Sequence, residues 1–134
     1  MALQIEIVTP EKRVAQLSNV FEVRAPGVQG GFGIRSGHAS FMSQLEPGRL
    51  VVVQEGGREE LFAVGGGFLQ VDKDRLIVLA DTAEAKAEID VDRARREFAE
   101  STERLRSMTE QDQNHARESA RVRRSAARLN VAGR

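Results

Sequence analysis

Four arginines, Arg117, Arg121, Arg124 and Arg128, recur at steps of four, three and four, which places them on one face of a helix. A guanidinium presents a planar fork of donors that suits carboxylates and phosphates, so such a stripe is fitted to an anion or an acidic protein surface. The solvated outer face of an amphipathic helix is the competing reading. Two features set this stripe apart from an ordinary outer face: no acid interrupts its positions, and every Lys or Arg after Lys86 is an arginine.

The second irregular stretch runs from Gly30 to Phe41, where Gly30, Gly31, Gly33, Gly37, His38 and two phenylalanines fall close together. Glycines at this density describe a folded loop, or a glycine-rich connection between strands. His38 has no carboxylate partner nearby in sequence, and His115 lies far from it in a different kind of segment. With no cysteine, thiolate catalysis, disulfides and cysteine zinc sites are excluded. A catalytic site would have to rest on carboxylates and arginine alone, and no constellation of positioned acid and base groups is visible. Gly65, Gly66 and Gly67 invite a phosphate-cradle reading. They lead into a strand-like run, 68–71, with no helix amino end or following Lys-Ser or Lys-Thr, so a β-bulge or a close approach of strands is the better reading.

Short strands must position these groups. Leu3, Ile5 and Ile7 alternate with Gln4 and Glu6, the period of a half-buried strand. Thr9-Pro10-Glu11-Lys12 reads as a turn, and 14–17 and 20–25 read as strands. Residues 41–45 and 50–53 are further strands, separated by Pro47-Gly48, which suits a type II turn. Gly56-Gly57 between 50–53 and 61–64 signals a hairpin, and Asp72-Lys73-Asp74 between 68–71 and 76–80 signals another. The pattern predicts an all-β sandwich or flattened barrel.

Composition changes near Asp81, after which the only glycine is Gly133 and there is no proline. The pattern predicts two helices. Asp90 suits an N-cap, and Val91, Ala94, Phe98, Ser101, Leu105 and Met108 form one seam. Residues 107–114 make a turn in which Asp112 is placed to cap a second helix running to about Leu129. Its seam, His115, Ser119, Val122, Ala126 and Leu129, is mostly small or polar, and the arginine stripe lies roughly opposite. Burying Val122 and Leu129 would contribute only about 1.5–3 kcal/mol each, so the hairpin is expected to be weakly held and mobile. The division expected is a β domain over 1–85 and a helical hairpin over 86–134.

A chain of 134 residues accommodates one modest core and an appendage. Residues 1–90 carry 9 Lys plus Arg against 13 Asp plus Glu, and residues 91–134 carry 11 against 7. That split predicts an acidic partner for the tail: its own β domain, a polyphosphate or another protein. The apolar runs are too short to cross a bilayer and the amino end lacks a leader pattern, so a soluble chain is expected. No phenylalanine lies within the arginine helix and net charge is zero, which argues against nucleic acid as partner.

Several motifs occur in a telling order: 5–11 (Ile-Glu-Ile-Val-Thr-Pro-Glu), 25–34 with its glycines, Ser36-Gly37-His38-Ala39, Leu45-Glu46-Pro47-Gly48, Val64-Gly65-Gly66-Gly67-Phe68, and 78–84 ahead of Ile89-Asp90. Across essentially the whole chain this resembles the epsilon subunits of the rotary proton-translocating (F-type) ATP synthase. Ser40-Phe41 depart from the proline and aliphatic residue usual after Gly-His-Ala in that family. The resemblance implies about ten strands in two sheets, then the helical hairpin. It implies a non-catalytic subunit of the central rotor stalk that couples proton flow to ATP synthesis, docked on the gamma subunit and touching the membrane c-subunit ring. Gly37, His38 and Ala39 would line that contact.

The resemblance also implies regulation. The run Ile89-Asp90-Val91-Asp92-Arg93-Ala94 matches the core of a regulatory ATP site found in many bacterial members, with Glu84, Arg124 and Arg128 at its other matched positions. ATP would be a regulatory ligand, and no cofactor is required. Glu100 stands where that pattern has a basic residue. In the extended posture, Arg117, Arg121, Arg124 and Arg128 would face acidic segments of the catalytic alpha and beta subunits and inhibit ATP hydrolysis. The expected location is the cytoplasmic side of a bacterial plasma (inner) membrane, as a peripheral protein that meets the membrane only through its complex. The reading from residues alone keeps an alternative, a stand-alone nucleotide- or nucleic-acid-binding β domain with an arginine-rich tail.

Overall fold

The computed structural model describes residues 2–133; Met1 and Arg134, the outer bounds of the two expected domains, lie outside the described residues. Seven strands come first: β1 (Leu3–Val8), β2 (Arg13–Ala25), β3 (Phe32–Arg35), β4 (Phe41–Gln54), β5 (Glu59–Asp72), β6 (Arg75–Ala80) and β7 (Ala83–Ala85). They are followed by a 3-10 turn (Lys86–Glu88) and helices α1 (Val91–Arg106) and α2 (His115–Ala132). The sheet runs β1-β6-β5-β4-β2, and β2 returns to pair with β1, so it closes on itself as a flattened barrel; β3 extends β2 and β7 pairs with β5. Every pairing is antiparallel except β1 with β6.

The all-β domain followed by a helical hairpin is as the sequence predicts, but seven strands in one closed sheet replace about ten in two sheets. The difference lies in three long strands that the sequence breaks into pieces. β2 continues through Asn19, whose φ of 55° bends it as it passes from β1 to β4. β4 continues through Pro47 and Gly48, which pair with Gly65 and Val64 instead of forming a type II turn. Gly48 is needed because a Cβ there would stand 2.8 Å from Pro26 Cβ. β5 continues through Gly65–Gly67, where it changes partner from β7 to β6. At Gly67, with φ 131°, a Cβ would lie 2.1 Å from Leu79 O, so strands approach too closely there for any side chain. In place of one long irregular loop over 30–41, four of its residues form β3, because β2 offers its free edge to them.

The Thr9–Lys12 turn closes with Thr9 N–H donating to Lys12 O at 2.9 Å. The two hairpin turns also form, with Gly56 and Gly57 at φ 93° and 88° and Lys73 and Asp74 at 49° and 62°. Lys73 and Asp74 are the two central residues between paired Asp72 and Arg75, the turn geometry that matches strand twist, whereas Gly56 and Gly57 lie in a longer loop closed by Gln54 N–H to Arg58 O at 2.8 Å. Inside the barrel, Leu3, Ile5, Ile7, Val20, Val23, Ile34, Leu50, Val52, Leu69, Val71 and Val78 are buried together. Each such side chain contributes about 1.5–3 kcal/mol. The β domain therefore owns its core.

The hairpin is different. Asp90 caps α1 as expected, its carboxylate accepting from Arg93 N–H at 3.1 Å. Asp112 does not cap α2: it accepts from Asn114 N–H at 2.9 Å inside the turn, and Asn114 is the N-cap with no side-chain bond. On α1, Ala94 and Ser101 are buried while Phe98 stays 36% exposed. α2 buries Glu118, Ser125, Ala127 and Val131, and the expected seam from His115 to Leu129 is only half-buried. α2 packs against α1 on one side and β4 and β5 on another, so it has two contact faces where a single seam was expected. One small cluster, Ala63, Ile89 and Val131, joins the hairpin to the sheet.

Candidate functional site at the hairpin and barrel junction

The arginine stripe does not face solvent as a unit. Arg117 is exposed, but Arg121, Arg124 and Arg128 are half-buried. The expectation of a stripe opposite the packed face is thereby corrected, and the reason is the second contact face of α2 on the sheet. Arg128 sits at the junction, where its Nε donates to Glu84 Oε1 and its Nη1 to Glu97 Oε2 at 3.3 Å. Glu97 also accepts from Arg93 Nε at 3.0 Å through its other oxygen. β7 places Glu84, α1 places Glu97 and Arg93 one turn apart, and α2 brings Arg128 down between them.

Among the five residues matched to an ATP site, Glu84, Arg93 and Arg128 are thus joined in one network, with Glu97 as the link the sequence analysis missed. Its signal was local: Arg93 and Glu97 are spaced to pair on a helix. Asp90 is committed to its cap. Arg124 lies beside the network without an ion pair among the described residues, its stem packed on Gly65, where a Cβ would be 2.9 Å from Arg124 Cδ. Arg117 and Arg121 lie nearer the hairpin turn and do not join the network.

The network does not fit a triphosphate as it stands. Glu84 and Glu97 already occupy both sides of the Arg128 fork, and α1 carries Glu100 in place of a cation. A polyphosphate would have to displace two carboxylates from a side chain only 24% exposed. What the arrangement does chemically is bridge three elements. Further polar ties are Arg49 Nη1 to Asn130 Oδ1 at 3.0 Å and Arg123 to Glu46 at 3.5 Å.

The two helices are tied by Glu118, which accepts from Arg104 Nη1 at 3.0 Å and faces Arg121 at 3.6 Å. Burial pushes the Glu118 carboxyl up, but Arg104, Ser101 and Arg121 outweigh it and hold the group below its ordinary value of 4.5. A lowered carboxylate contributes stability above its unfolded value, lost as pH falls through the folded one. Amide exchange in α2 is therefore expected to show the helix pairing unchanged from about pH 8 to about pH 5, with loss only in stronger acid.

The His38 loop lies elsewhere. Gly37, His38 and Ala39 are exposed. The imidazole Nδ1 is 2.7 Å from Ala39 O, and the ring meets Phe41 edge-on at 5.6 Å; Phe41 in turn meets Phe32 at 5.4 Å. Among the described residues no carboxylate contacts His38, and the loop presents an exposed surface. Its supports are Asp72 and Asp74, read from the sequence only as turn residues.

Two family descriptions match the chain: the ATP synthase delta/epsilon chain beta-sandwich domain over residues 2–86, and the corresponding long alpha-helix domain over residues 81–133. An ATP synthase epsilon chain of Anaeromyxobacter dehalogenans (strain 2CP-1) is 67% identical over 134 residues, covering 100% of both chains. Another, from Myxococcus xanthus, is 47% identical and covers 97% of this chain and 94% of that one. The fold is similar to a chain in the cryo-EM structure of the Euglena gracilis mitochondrial ATP synthase, described as OSCP/F1/c-ring. The TM-score is 0.82 at 21% identity, over 99% of this chain and 82% of that chain.

Proposed function

The chain belongs to the family of ATP synthase epsilon chains, and from that premise we propose that it is a non-catalytic subunit of the rotor stalk whose helical hairpin acts as a movable brake on ATP hydrolysis. The observation that carries the brake is the contrast between the two halves. The barrel is held by a continuous aliphatic core, whereas the hairpin is held to it by the small cluster of Ala63, Ile89 and Val131, by the Arg128–Glu84 ion pair and by the polar ties Arg49–Asn130 and Arg123–Glu46. Part-exposed ion pairs contribute little individually, about 0–1 kcal/mol. Such a contact is suited to release.

In this reading the barrel docks on the gamma subunit, and Gly37, His38 and Ala39 meet the polar loops of the membrane ring. When the hairpin extends, Arg117, Arg121, Arg124 and Arg128 are released from their present contacts to face acidic segments of the catalytic alpha and beta subunits. The folded-down posture needs no nucleotide, because Glu84 and Glu97 supply the negative charge that Arg128 requires. Among the described residues no helix is long and apolar enough to cross a membrane. Attachment to the cytoplasmic side of a bacterial inner membrane would come through the complex. The nucleic-acid alternative needs an outward arginine helix, and of the four stripe arginines only Arg117 is exposed.

The test is reconstitution. The isolated chain is expected not to hydrolyse ATP, and to co-migrate with its own gamma-containing catalytic complex on a sizing column. Failure to associate would overturn the proposal.

A further inference from the structure

The loop that carries His38 is pinned at both ends by one hairpin turn on the neighbouring strands. Ser36 Oγ donates to Asp74 Oδ2 at 2.9 Å and Gly37 N–H donates to Asp74 Oδ1 at 2.7 Å. At the far end, Ser40 Oγ donates to Asp72 Oδ1 at 2.6 Å. An ionised carboxylate only accepts, so both oxygens of Asp74 are committed to the start of the loop. From these contacts we infer that Asp74, assisted by Asp72, is the positioning residue that sets the place of His38 on the surface. The inference rests on the contact role proposed above for that loop.

The turn is built to aim this carboxylate. Lys73 and Asp74 both have positive φ, 49° and 62°, and Asp72 pairs with Arg75 to close the β5–β6 ladder. Asp tolerates the left-handed region better than most residues, and from there its side chain reaches the neighbouring loop. Asp74 O also accepts from Gln4 N–H at 2.9 Å, tying the turn to β1. Behind it Leu69, Val71, Leu76 and Val78 are buried in the barrel, so the turn is a fixed base.

Beyond the contacts of the His38 ring with Ala39 O and Phe41, the restraints within the loop are local. His38 N–H donates to Arg35 O at 3.2 Å, and a Cβ at Gly37 would meet nothing within 4 Å. Gly37 is therefore present for its φ of 86° and not for crowding, and its N–H is the group Asp74 holds. The Gly37 N–H and the Ser36 hydroxyl hold the Asp74 carboxyl below its ordinary value of 3.8, which keeps the anchor charged at neutral pH. It is lost only as pH falls below that ordinary range.

The experiment compares Asp74→Gly and Asp74→Asn in the full chain. Glycine keeps the left-handed turn without strain and removes the carboxylate; asparagine keeps the turn and one acceptor oxygen. Gly37 amide exchange should rise about tenfold or more with glycine and return most of the way with asparagine, while core amides of β5 and β6 are unchanged. In the reassembled complex, proton-driven ATP synthesis should fall with glycine and recover with asparagine. Unchanged Gly37 exchange in Asp74→Gly would overturn the inference. Faster exchange with undiminished synthesis would establish the anchor and overturn instead the contact role of the His38 loop.

Discussion

A chain ending at Ile89 should fold, keep its place on the gamma-containing complex, and let that complex hydrolyse ATP several-fold faster than the full chain does. The barrel closes through the pairing of β2 with β1 before any helix is needed, and its buried side chains come from β1 to β6. Truncation removes Val131 and uncovers Ala63 and the edge of Ile89, a small apolar loss to the domain. The freed helices have little stability of their own, since peptides of 16 and 18 residues are marginal in water. The melting temperature of the truncated chain should therefore stay near that of the full chain. A large drop in melting temperature, or an unchanged hydrolysis rate, would count against the brake.

Replacing both Glu84 and Glu97 by alanine should act in the opposite direction on hydrolysis. Glu84 on β7 ties Arg128 to the barrel and Glu97 on α1 braces the same guanidinium within the hairpin, yet neither belongs to the arginine stripe proposed to meet the catalytic subunits. Their removal leaves Arg128 half-buried without a partner and frees Arg93 as well. Losing these part-exposed pairs should cost up to about 2 kcal/mol in the docked arrangement. That lowers the docking equilibrium constant by up to about 30-fold, visible as faster amide exchange along α2 with core barrel amides unchanged. A hairpin released with its stripe intact spends more time extended, so hydrolysis should fall below that of the unaltered chain. Arg128→Gln is less informative, because it weakens the docked contact and the proposed inhibitory contact together.

Much of this architecture is legible from local patterns, and what is not legible is what depends on distant partners. The alternation in β1, the paired glycines at 56 and 57 and the Asp90 cap each announce themselves within a few residues. Pro47-Gly48 reads as a turn because the local signal is the same for a turn and a bend; only Gly65 and Val64 opposite them decide. Helical spacing groups Arg121, Arg124 and Arg128 correctly on one face, but does not say which face meets the barrel. Glu84 and Arg128 are 44 residues apart, and nothing local links them. Asp74 was legible as a turn residue, while its hydrogen bonds to a loop 37 residues earlier were not.

The central claim is that the hairpin has two postures, and a distance measurement tests it most directly. The chain has no cysteine, so single cysteines at exposed Glu55 and at exposed Gln113 in the hairpin turn can each take a spin label without background. In the isolated chain the account predicts one dominant distance, that of the folded-down hairpin. Bound to the gamma-containing complex, a second and longer distance should appear, and its share should grow when Glu84 and Glu97 are alanine. A single distance, unchanged by assembly and by loss of both acids, would contradict the account.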